Sequence, residues 1–594
     1  MSGPDPYALF EGNRACLRDR ELAERLAAPR PDFSAPVHYR FMEARNGDPV
    51  PAIASRPLHS LFDPRREGER LVSTLDGEDF LIVFGFGGAY HVEAALARPE
   101  TDQVVVVEFG LRGFAELLGL RDLRGLIADP RLRLLVDPPP GALERLIPDL
   151  YLPALSRAIR TLPLRPRVEG GAFAAAAAEV RSAIGRISAD YSVQAHFGIR
   201  MFKNTLRNLL GAETGGPALP RICRAVVCAA GPSLDSQLPR IAEARGRKGA
   251  PFLIATDTSL PALLSGALEP DAVISIDCQH IGYRHFIPPR RSRPCKTGAV
   301  QAASPGAAPL IPPHIPLFLD LASPPSLASL AARPVFCSAG HPLTAYIASS
   351  WRPFPRIDGS GGNVTHAAVS LAESLGAAEI ELYGADFSYP LGRTYARGTY
   401  IFPYFDTSQN RLGPLETYFS RLLYRGPLEK GSRDPAGKAW YYQTETLTRY
   451  RESLEAAGER MEARLLPAAG LGAPIAARTA ARRDTEPRAG PWAEPWASPW
   501  ASPWAETRPD APRLSAREFL GRYREQIRAL PPAAPGTPAG TYLAGLGNEG
   551  RRILATLLPL AASLRQREPE RDGVIGHLKD YAAAAIDRVL AAKL

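Results

Sequence analysis

The chain of 594 residues has few cysteines, few lysines and no long hydrophobic stretch. Its six cysteines form no C-x-x-C pair and no His-Cys spacing typical of a zinc site, which favours buried thiols in a reducing compartment. No segment approaches the ~18 uninterrupted apolar residues of a membrane-spanning helix. The N-terminus is charged and lacks the apolar core of a secretory signal. We therefore expect a cytoplasmic protein that does not insert into a membrane.

The chain also lacks any block of basic residues, although 71 basic residues against 62 acidic ones give it a net charge of +9. Because this excess is spread over the whole length, it indicates a composition biased toward arginine, and we predict no nucleic-acid partner. The alternative is that the excess serves to bind an anionic ligand at one local site. An Asp-x-Asp pair and a P-loop are missing as well, so we expect no bound metal and no cofactor.

The composition, with 45% hydrophobic and 22% charged residues, is typical of a folded globular protein. Short apolar strands alternate with helices in two regions, and this alternation predicts parallel sheets. The predicted fold class is α/β, with two Rossmann-like parallel-sheet domains in tandem and helical C-terminal segments. The predicted domains are an N-terminal Rossmann-like domain (1–170), a connecting helix (171–215), a central α/β domain (216–410), a helical segment (411–466), a Pro/Trp-rich linker (467–512) and a C-terminal helical domain (513–594).

Two segments outside the predicted sheets have unusual residues. In the connecting helix, Asn204 and Asn208 are four residues apart and share one face, where they either bridge to a neighbouring domain or cap loops. In the linker, a Pro-Trp-Ala-(Glu/Ser) motif occurs four times from Pro491 to Glu506. Proline at every fourth position prevents helix formation and strand pairing, so we predict an extended linker, or alternatively a docking segment for an unknown partner.

A glycine-rich turn follows the first strand of the N-terminal domain. Gly85 and Gly87 fit the beginning of a dinucleotide-binding fingerprint, but Tyr90 occupies the position of its third glycine. Glu108, at the end of the next strand, suits a ribose hydroxyl. A nucleotide or methyl-donor site is one interpretation of this pattern, and a scaffold turn that only packs tightly is the other.

Several strands of the central domain end in polar residues. Asp257, Asp277, His341 and Asp386 follow four different strands. Ligands of open α/β sheets bind outside the carboxyl ends of the strands, so we expect these side chains to converge on one crevice. This convergence is the main indication of a site from pattern alone.

Two turns in the central domain precede helices and suit an anionic ligand. One is Gly231-Pro232-Ser233, and the other is Ser360-Gly361-Gly362-Asn363. The first amides of a helix are unpaired and favour phosphate, so two such turns in one sheet predict a nucleotide-linked substrate. Tyr389 and Tyr395 follow Asp386, and their hydroxyls could stabilise a phosphate leaving group without a metal. An ordinary surface loop is the alternative for this tyrosine segment.

Three segments resemble the central domain of the bacterial motility accessory factor family, whose members glycosylate flagellin and share this domain with archaeal hydroxymethylpterin diphosphokinases. These segments are AVVCAAGPSLDSQLPRI, FLIATDTSLPALLSGALEPDAVISID and GSGGNVTHAAVSLAESLGAAEIELYGADFSY. Two others, FGFGGAYHVEAAL and HFGIRMFKNTLRNLL, are similar to the N-terminal domain and the connecting helix of that family. The resemblance covers roughly residues 70 to 460.

The central domain is also similar to bacterial sialyltransferases that use a CMP-linked nine-carbon acidic sugar as donor. The resemblance implies that the Gly231-Pro232-Ser233 turn and Asp257 contact the nucleotide. It implies that Ser360-Gly361-Gly362 lies near the sugar carboxylate and the phosphates. Tyr389 and Tyr395, six residues apart as in those enzymes, would then hydrogen bond the leaving phosphate.

Two positions depart from the sialyltransferase pattern. Ala230 stands where those enzymes have an asparagine before the Gly-Pro-Ser-Leu turn. Their catalytic histidine has no equivalent here, because no histidine occurs between residue 400 and His577. The base is therefore open, with His341 and Asp386 as the nearest candidates.

The resemblance implies a metal-independent, inverting glycosyltransferase that moves a CMP-activated nonulosonic, sialic-acid-like sugar onto a Ser or Thr hydroxyl of flagellin. Its partners would be the nucleotide sugar, as donor substrate, and flagellin. Two alternatives stay open. One is a non-catalytic flagellin-binding motility factor, and the other is a pterin diphosphokinase-like enzyme that would need ATP and Mg²⁺.

Overall fold

The structure, a computed structural model, describes residues 5–27, 31–164, 170–214, 219–287, 309–429, 431–433, 437, 440–476, 514–534, 537–568 and 574–592. These residues form two compact units. Unit 1 comprises residues 5–199 and 524–584, and unit 2 comprises residues 200–476, 514–523 and 585–592. The Pro-Trp repeat and the remainder of the predicted linker after residue 476 lie outside the described residues.

Unit 1 contains a small antiparallel sheet and a four-stranded parallel sheet. Its strands are β1 (Arg40–Glu43), β2 (Pro49–Ile53), β3 (Arg56–Pro57), β4 (Phe80–Phe84), β5 (Gln103–Glu108), β6 (Leu132–Val136) and β7 (Ile159–Pro163). The small sheet has the order β1-β2-β3, and the parallel sheet has the order β6-β5-β4-β7. Strands β4 and β5 are buried along their whole length, which explains their runs of apolar residues.

Eight helices accompany the first part of the chain. Their bounds are α1 (Pro6–Ala15), α2 (Arg20–Arg25), α3 (Pro64–Val72), α4 (Tyr90–Ala97), α5 (Leu111–Leu118), α6 (Arg124–Ile127), α7 (Ala142–Leu150) and α8 (Ala172–Gly211). Local sequence explains where α3 begins, since Asp63 caps it and Pro64 occupies its first position. The long helix α8 lies where the connecting helix was predicted.

Unit 2 is built on a seven-stranded parallel sheet with the order β12-β11-β10-β9-β8-β13-β17, and β14, β16 and β15 form a small antiparallel sheet. The strands are β8 (Arg224–Cys228), β9 (Phe252–Thr256), β10 (Ala272–Ser275), β11 (Leu317–Asp320), β12 (Pro334–Cys337), β13 (Glu379–Tyr383), β14 (Tyr389–Pro390), β15 (Ser432–Arg433), β16 (Trp440–Tyr442) and β17 (Arg464–Pro467). The helices are α9 (Leu234–Arg245), α10 (Leu260–Ser265), α11 (Pro325–Ala328), α12 (Pro342–Ser350), α13 (Val364–Ser374), α14 (Ile401–Asp406), α15 (Leu415–Leu423) and α16 (Glu445–Gly458).

The predicted fold class, two Rossmann-like parallel sheets in tandem with helical C-terminal segments, is confirmed. The boundary of the central domain differs from the prediction of residue 410, because β17 pairs with β13 as the seventh strand of its sheet. Residues 411–466 are therefore part of this sheet domain. The pattern missed β17 because a four-residue strand that ends in proline has no clear period. Within the described residues, no helix is both long and apolar enough to cross a membrane.

The C-terminal helices are not a domain of their own, which corrects the predicted domain at 513–594. They are α17 (Ala516–Ala529), α18 (Ala539–Ala544), α19 (Asn548–Arg567) and α20 (Val574–Ala591). Most of them complete unit 1: the Gly540 amide donates to Asp102, and Arg565 donates to the carbonyl of Pro153 at 2.7 Å. Gly198 lets the backbone of Pro559 approach α8 directly. These contacts join residues that lie more than 300 positions apart, so local patterns do not reveal them.

Two asparagines of α8 bind the loops that follow β10 and β11 in unit 2. The Asn204 amide donates to the carbonyl oxygens of Cys278 at 3.2 Å and Ala322 at 2.9 Å. The Asn208 amide donates to two neighbouring carbonyls of the second loop, each at 2.8 Å. Both side chains are buried, so they fix loops within the unit.

We expect the double substitution N204A/N208A to lower the free energy of unfolding of unit 2 by about 2–4 kcal/mol, because buried carbonyls lose their donors. Urea unfolding of the full chain measures this change. The control is R207A, which removes an exposed side chain from the same helix. Equal unfolding curves for the double variant and the control would contradict the assigned role.

Candidate active site

The glycine-rich turn after β4 in unit 1 is filled by side chains of the same unit. The Gly88 amide donates to His59 Nε2 at 2.9 Å, and the Phe86 amide donates to Glu108 Oε2 at 2.8 Å. Arg121 Nε donates to the Gly88 carbonyl at 2.9 Å. The acidic residue predicted for a ribose hydroxyl thus binds the turn itself. Of the two interpretations, this geometry favours the scaffold turn.

A second histidine lies buried beside this turn. His91, in the first turn of α4, is 2% exposed. Burial lowers its pKa to about 3, and the nearby His59 contributes to the same shift. The side chain therefore stays neutral in the folded protein at any pH near neutrality.

In unit 2, the ends of β9 and β10 place two carboxylates next to each other. Asp257 is 3% exposed, and its oxygens accept hydrogen bonds from the Thr258 amide at 2.6 Å and the Ser275 hydroxyl at 2.6 Å. Burial raises the pKa of Asp277, and the charge of Asp257 raises it further. The predicted convergence of these two residues is therefore present in the structure.

The tyrosine segment reaches the same edge of the sheet. Burial raises the pKa of Tyr395 far above its ordinary value, and the neighbouring Tyr400, Tyr389 and Asp257 add to the shift. Burial also raises the pKa of Tyr389. These phenols therefore stay protonated and can act as hydrogen-bond donors. The structure thus brings both predicted tyrosines together with the carboxylate of Asp257.

Four tyrosines at this edge have uncommitted hydroxyl groups. No hydroxyl of this set hydrogen bonds another group in the part of the chain that the structure describes, and each side chain is partly exposed. The four residues are Tyr389, Tyr395, Tyr400 and Tyr450. Since a phenol in a half-buried site normally has a partner, this set is suited to donate hydrogen bonds to a ligand.

The second glycine turn lies against one of these tyrosines. Gly362 has φ +67°, a left-handed conformation that favours glycine, and a side chain there would begin 3.1 Å from the ring of Tyr450. Asn363 caps α13 by accepting a hydrogen bond from the His366 amide at 3.0 Å. Ser360 is exposed at the beginning of the turn. Of the predicted residues, Asn363 is therefore positioned by the cap of α13 and Gly362 by its approach to Tyr450.

A carboxylate-imidazole pair supports this turn, and sequence reasoning missed it. Asp358 accepts a hydrogen bond from the Ser360 amide at 2.8 Å and lies 3.1 Å from His366 Nε2. Burial raises the pKa of Asp358, but the hydrogen bonds from His366 and Ser360 outweigh it and the net shift is downward. The buried imidazole packs directly under Gly361, where any side chain would collide with it. The spacing of Asp358 and His366, eight positions apart on either side of the turn, was the sequence signal that could have identified this pair.

In the first glycine turn, two backbone amides already hydrogen bond the chain around residues 384–386, and Asp386 is one of their acceptors. The Gly231 amide donates to the Gly384 carbonyl at 2.7 Å, and the Ser233 amide donates to Asp386 Oδ2 at 2.8 Å. The Ser233 hydroxyl donates to Asp386 Oδ1 and accepts from the Leu471 amide at 2.8 Å. We name these contacts the Asp386 clasp. Because these two amides are occupied, the turn does not offer them to a phosphate.

The clasp also determines what Asp386 can do. Its side chain is 5% exposed, and burial raises its pKa while the Ser233 hydrogen bonds oppose the shift. Pro232 is buried within the turn. Both carboxylate oxygens are committed to Ser233, so the geometry favours a positioning role for Asp386 over the predicted role as base.

The tyrosine segment is attached to the same turn. The Ala396 amide donates to the Ala230 carbonyl at 2.9 Å, and the Arg397 amide donates to Asp235 Oδ1 at 2.8 Å. Arg393 forms an ion pair with Asp235 as well. Residues 389–400 therefore depend on the Gly-Pro-Ser-Leu-Asp segment for their position. In this way the motif supports the tyrosines instead of binding an anion through its amides.

His341, the other predicted base, lies at the N-terminus of α12. Its Nδ1 accepts a hydrogen bond from the Leu343 amide at 3.3 Å, and its Nε2 is buried without a partner among the described groups. Burial lowers its pKa to about 4. The imidazole thus serves as the cap of α12, beyond the end of the edge strand β12.

We call Tyr389, Tyr395, Tyr400 and Tyr450 the tyrosine cluster. Sequence reasoning missed two of its members and two residues of a neighbouring helix. Tyr400 and Tyr450 lie far from the predicted motifs along the chain, and His285 and Arg284 belong to a 3-10 helix, His280–Phe286, that follows β10. The ring of His285 contacts the ring of Tyr400, with centroids 4.3 Å apart. The run of His, Tyr, Arg and His shortly after Asp277 was the signal that could have identified this helix.

No group of three or more His, Cys, Asp or Glu side chains within the described ranges is arranged to hold a metal ion. The expectation of a metal-independent reaction stays a prediction, as does the expectation that no cofactor is bound. The groups available at this edge are thus phenols, carboxylates, an imidazole and the exposed Arg284. Such a set can donate hydrogen bonds to a phosphate, accept them from hydroxyl groups and exchange a proton.

Two comparisons with known proteins concern this site. A family model described as 6-hydroxymethylpterin diphosphokinase MptE-like matches residues 203–392, which include both glycine turns and Tyr389. A solved structure of a MAf glycosyltransferase from Magnetospirillum magneticum AMB-1 aligns with 98% of this chain and 95% of its own, with a TM-score of 0.56. The chain has the fold of this MAf glycosyltransferase.

The predicted resemblance to motility accessory factors with an MptE-like central domain is thereby confirmed, and at 15% sequence identity the structural likeness concerns the fold.

Two uncharacterized proteins of Treponema pallidum (strain Nichols) are similar to shorter stretches. One is 37% identical over 121 residues, which is 20% of this chain and 42% of the relative. The other is 40% identical over 105 residues, which is 17% of this chain and 49% of the relative. The chain thus spans less than half the length of these two relatives.

We expect G231A to destabilise unit 2 by more than about 2 kcal/mol, because a Cβ at this position would meet the Gly384 carbonyl oxygen at 2.5 Å and the Asp386 carboxylate. Thermal unfolding of the full chain tests this. The control is G246A, whose Cβ would meet its nearest atom at 3.6 Å in a right-handed conformation. A melting temperature of G231A equal to that of G246A would contradict the clasp.

We expect unit 1 to lose stability as the pH falls from about 6.5 toward about 3. The unfolded chain protonates His91 below its ordinary pKa, whereas the folded chain holds that pKa at about 3, so unfolding takes up a proton in this window. The variant H91L should show a smaller fall, measured by urea unfolding at a series of pH values. The control H196L changes an exposed histidine of the same unit. An identical pH dependence in H91L and the wild type would be the contrary result.

Proposed function

We propose that the chain is a glycosyltransferase that moves a CMP-activated nonulosonic sugar onto a Ser or Thr hydroxyl of flagellin, without a metal and with inversion at the anomeric carbon. The observation that carries this proposal is the cluster of uncommitted phenols at the carboxyl edge of a sheet domain with the MAf glycosyltransferase fold. The donor, the acceptor and a cytoplasmic location are parts of the proposal.

The phenols of Tyr389 and Tyr395 would bind the leaving phosphate. As the bond between the sugar and CMP breaks, negative charge develops on the phosphate oxygens, and fixed hydrogen-bond donors stabilise that charge most where water is excluded. Burial raises the pKa of both tyrosines, so the hydroxyl groups keep the proton that they donate. Two neutral donors therefore stabilise the leaving group without a charge of their own.

The carboxylates would bind the polar hydroxyl groups of the donor. Asp257 is fixed by Thr258 and Ser275, and it lies near enough to Tyr395 for its charge to raise the pKa of that phenol. Asp277 is partly exposed at the same edge. A ribose hydroxyl or a base amine suits these acceptors, and an anionic phosphate does not. The nucleoside would thus lie over β9 and β10, with its phosphate toward the tyrosines.

The two glycine turns would have different tasks. Gly362 lies beside Tyr450, and the turn Ser360-Gly361-Gly362, whose Ser360 is exposed, would lie near the sugar carboxylate. The Gly231-Pro232-Ser233 turn has committed amides, so we propose that it shapes the nucleotide side of the crevice through packing. Its contribution to binding is then indirect, through the position of the tyrosine segment.

Two alternatives have support of their own. Ala230 replaces an asparagine of the sialyltransferase pattern, which favours a flagellin-binding factor without catalysis. The description of the matching family model favours a diphosphokinase that uses ATP and Mg²⁺. Calorimetry separates them: a transferase binds CMP, a diphosphokinase binds ATP in the presence of Mg²⁺, and a decayed site binds neither.

We expect the double variant Y389F/Y395F to lose transfer by about 100-fold or more while it stays folded, because each substitution removes one donor and keeps the ring. Incubation with CMP-activated nonulosonic sugars and flagellin, followed by intact mass measurement, gives the rate. The control is Y424F, which changes an exposed tyrosine of unit 2. An unchanged rate in the double variant would remove the assigned role of the two phenols.

A further inference from the structure

One histidine of unit 2, His285, is buried against Tyr400 and has no hydrogen-bond partner among the residues that the structure describes. His285 is 6% exposed, and its Nδ1 is enclosed with no partner in the described part of the chain. None of the hydrogen bonds described for unit 2 uses its Nε2 either. A buried polar group normally finds a partner, because an unsatisfied one lowers stability. An imidazole kept in this condition among phenols with uncommitted hydroxyl groups requires a functional explanation.

His285 lies against one of the phenols with an uncommitted hydroxyl group. Its ring meets the ring of Tyr400 edge to face, with centroids 4.3 Å apart and an angle of 72°. Tyr400 in turn lies near enough to Tyr395 to raise the pKa of Tyr395, and Tyr389 contributes to the same shift. Tyr400 thus lies close to both His285 and Tyr395. In an inverting transfer the base acts on the attacking hydroxyl, away from the leaving group, and the ring contact of His285 is with Tyr400, which is not one of the two tyrosines assigned to the phosphate.

A carboxylate lies on the same side. The positive charge of a protonated His285 acts on Asp277, where it opposes the rise in pKa that burial causes. An opposite charge close to an ionisable group in general favours the charged form of that group. A general base becomes positively charged when it accepts a proton, so this neighbour suits that role. The exposed guanidinium of Arg284 lies over Tyr404, with its carbon 4.3 Å from the ring centroid.

We propose that His285 is the general base of the transfer, which rests on the glycosyltransferase function proposed above. The acceptor hydroxyl oxygen attacks the anomeric carbon and forms the new C–O bond, while its proton passes to the imidazole. The old C–O bond breaks, and its electron pair leaves with the phosphate of CMP, which Tyr389 and Tyr395 hold. The imidazolium then returns its proton to water, which restores the neutral base.

The other two candidates are less suited to this step. Both oxygens of Asp386 are engaged in the clasp, and Nδ1 of His341 caps α12 while its Nε2 is enclosed. Each would have to give up a structural contact before it could meet an acceptor. Among the described residues, His285 has no hydrogen bond of this kind to lose.

The test compares H285Q with H280Q, which makes the same substitution at an exposed position of the same 3-10 helix. We expect H285Q to lower the transfer rate by about 100-fold or more and to keep the affinity for CMP within about twofold, because only the proton acceptor is lost. H280Q should keep both. Added imidazole should restore part of the rate of H285A, an effect that a structural role of the side chain would not produce.

The outcomes separate the two proposals. If the wild type transfers sugar and H285Q does so at the same rate, the assignment of His285 is overturned and the transferase function stands. If H341Q loses transfer while H285Q keeps it, the base is His341 and this inference is wrong. If the wild type neither binds CMP nor transfers any sugar of the panel, the proposed function fails, and the role of His285 as its base fails with it.

Discussion

The candidate site of unit 2 depends on one buried carboxylate. Asp386 accepts hydrogen bonds from the amide and the hydroxyl of Ser233, and the Ser233 hydroxyl in turn accepts a hydrogen bond from the Leu471 amide. Three chain segments that are far apart in sequence therefore meet at the Ser233 hydroxyl. A buried charge is costly unless hydrogen bonds satisfy it, and here Ser233 supplies one bond to each carboxylate oxygen.

The clasp explains why the site has two kinds of residue. Gly231, Ser233 and Asp386 are close-packed and committed to each other, and they leave no room for a side chain at Gly231. The tyrosine segment, which is attached to the same turn through Ala396 and Arg397, keeps its phenols uncommitted. Rigid support and free donors are thus separated, which is the arrangement that electrostatic stabilisation of a leaving group requires.

Much of this arrangement was predictable where the chain obeys a local rule. The alternation of strands and helices predicted the two parallel sheets, and strand order then explains why Asp257 and Asp277 meet. The sequence does not show how hydrogen bonds are distributed, so the Gly231 turn was predicted to bind phosphate through amides that the structure assigns to Gly384 and Asp386. His285 was missed for a related reason. Its burial and its ring contact with Tyr400 single it out, and the sequence shows neither.

The long-range contacts of unit 1 have a consequence for synthesis of the protein. Its sheet is made early by the ribosome, but Asp102 and the carbonyl of Pro153 receive their partners from Gly540 and Arg565, near the other end of the chain. Unit 2 gains its last sheet strand by residue 467, about a hundred residues sooner. The sheet translated first thus receives these partners only after the sheet of unit 2 is complete, and until then the nascent chain carries an unfinished N-terminal surface that is open to chaperones.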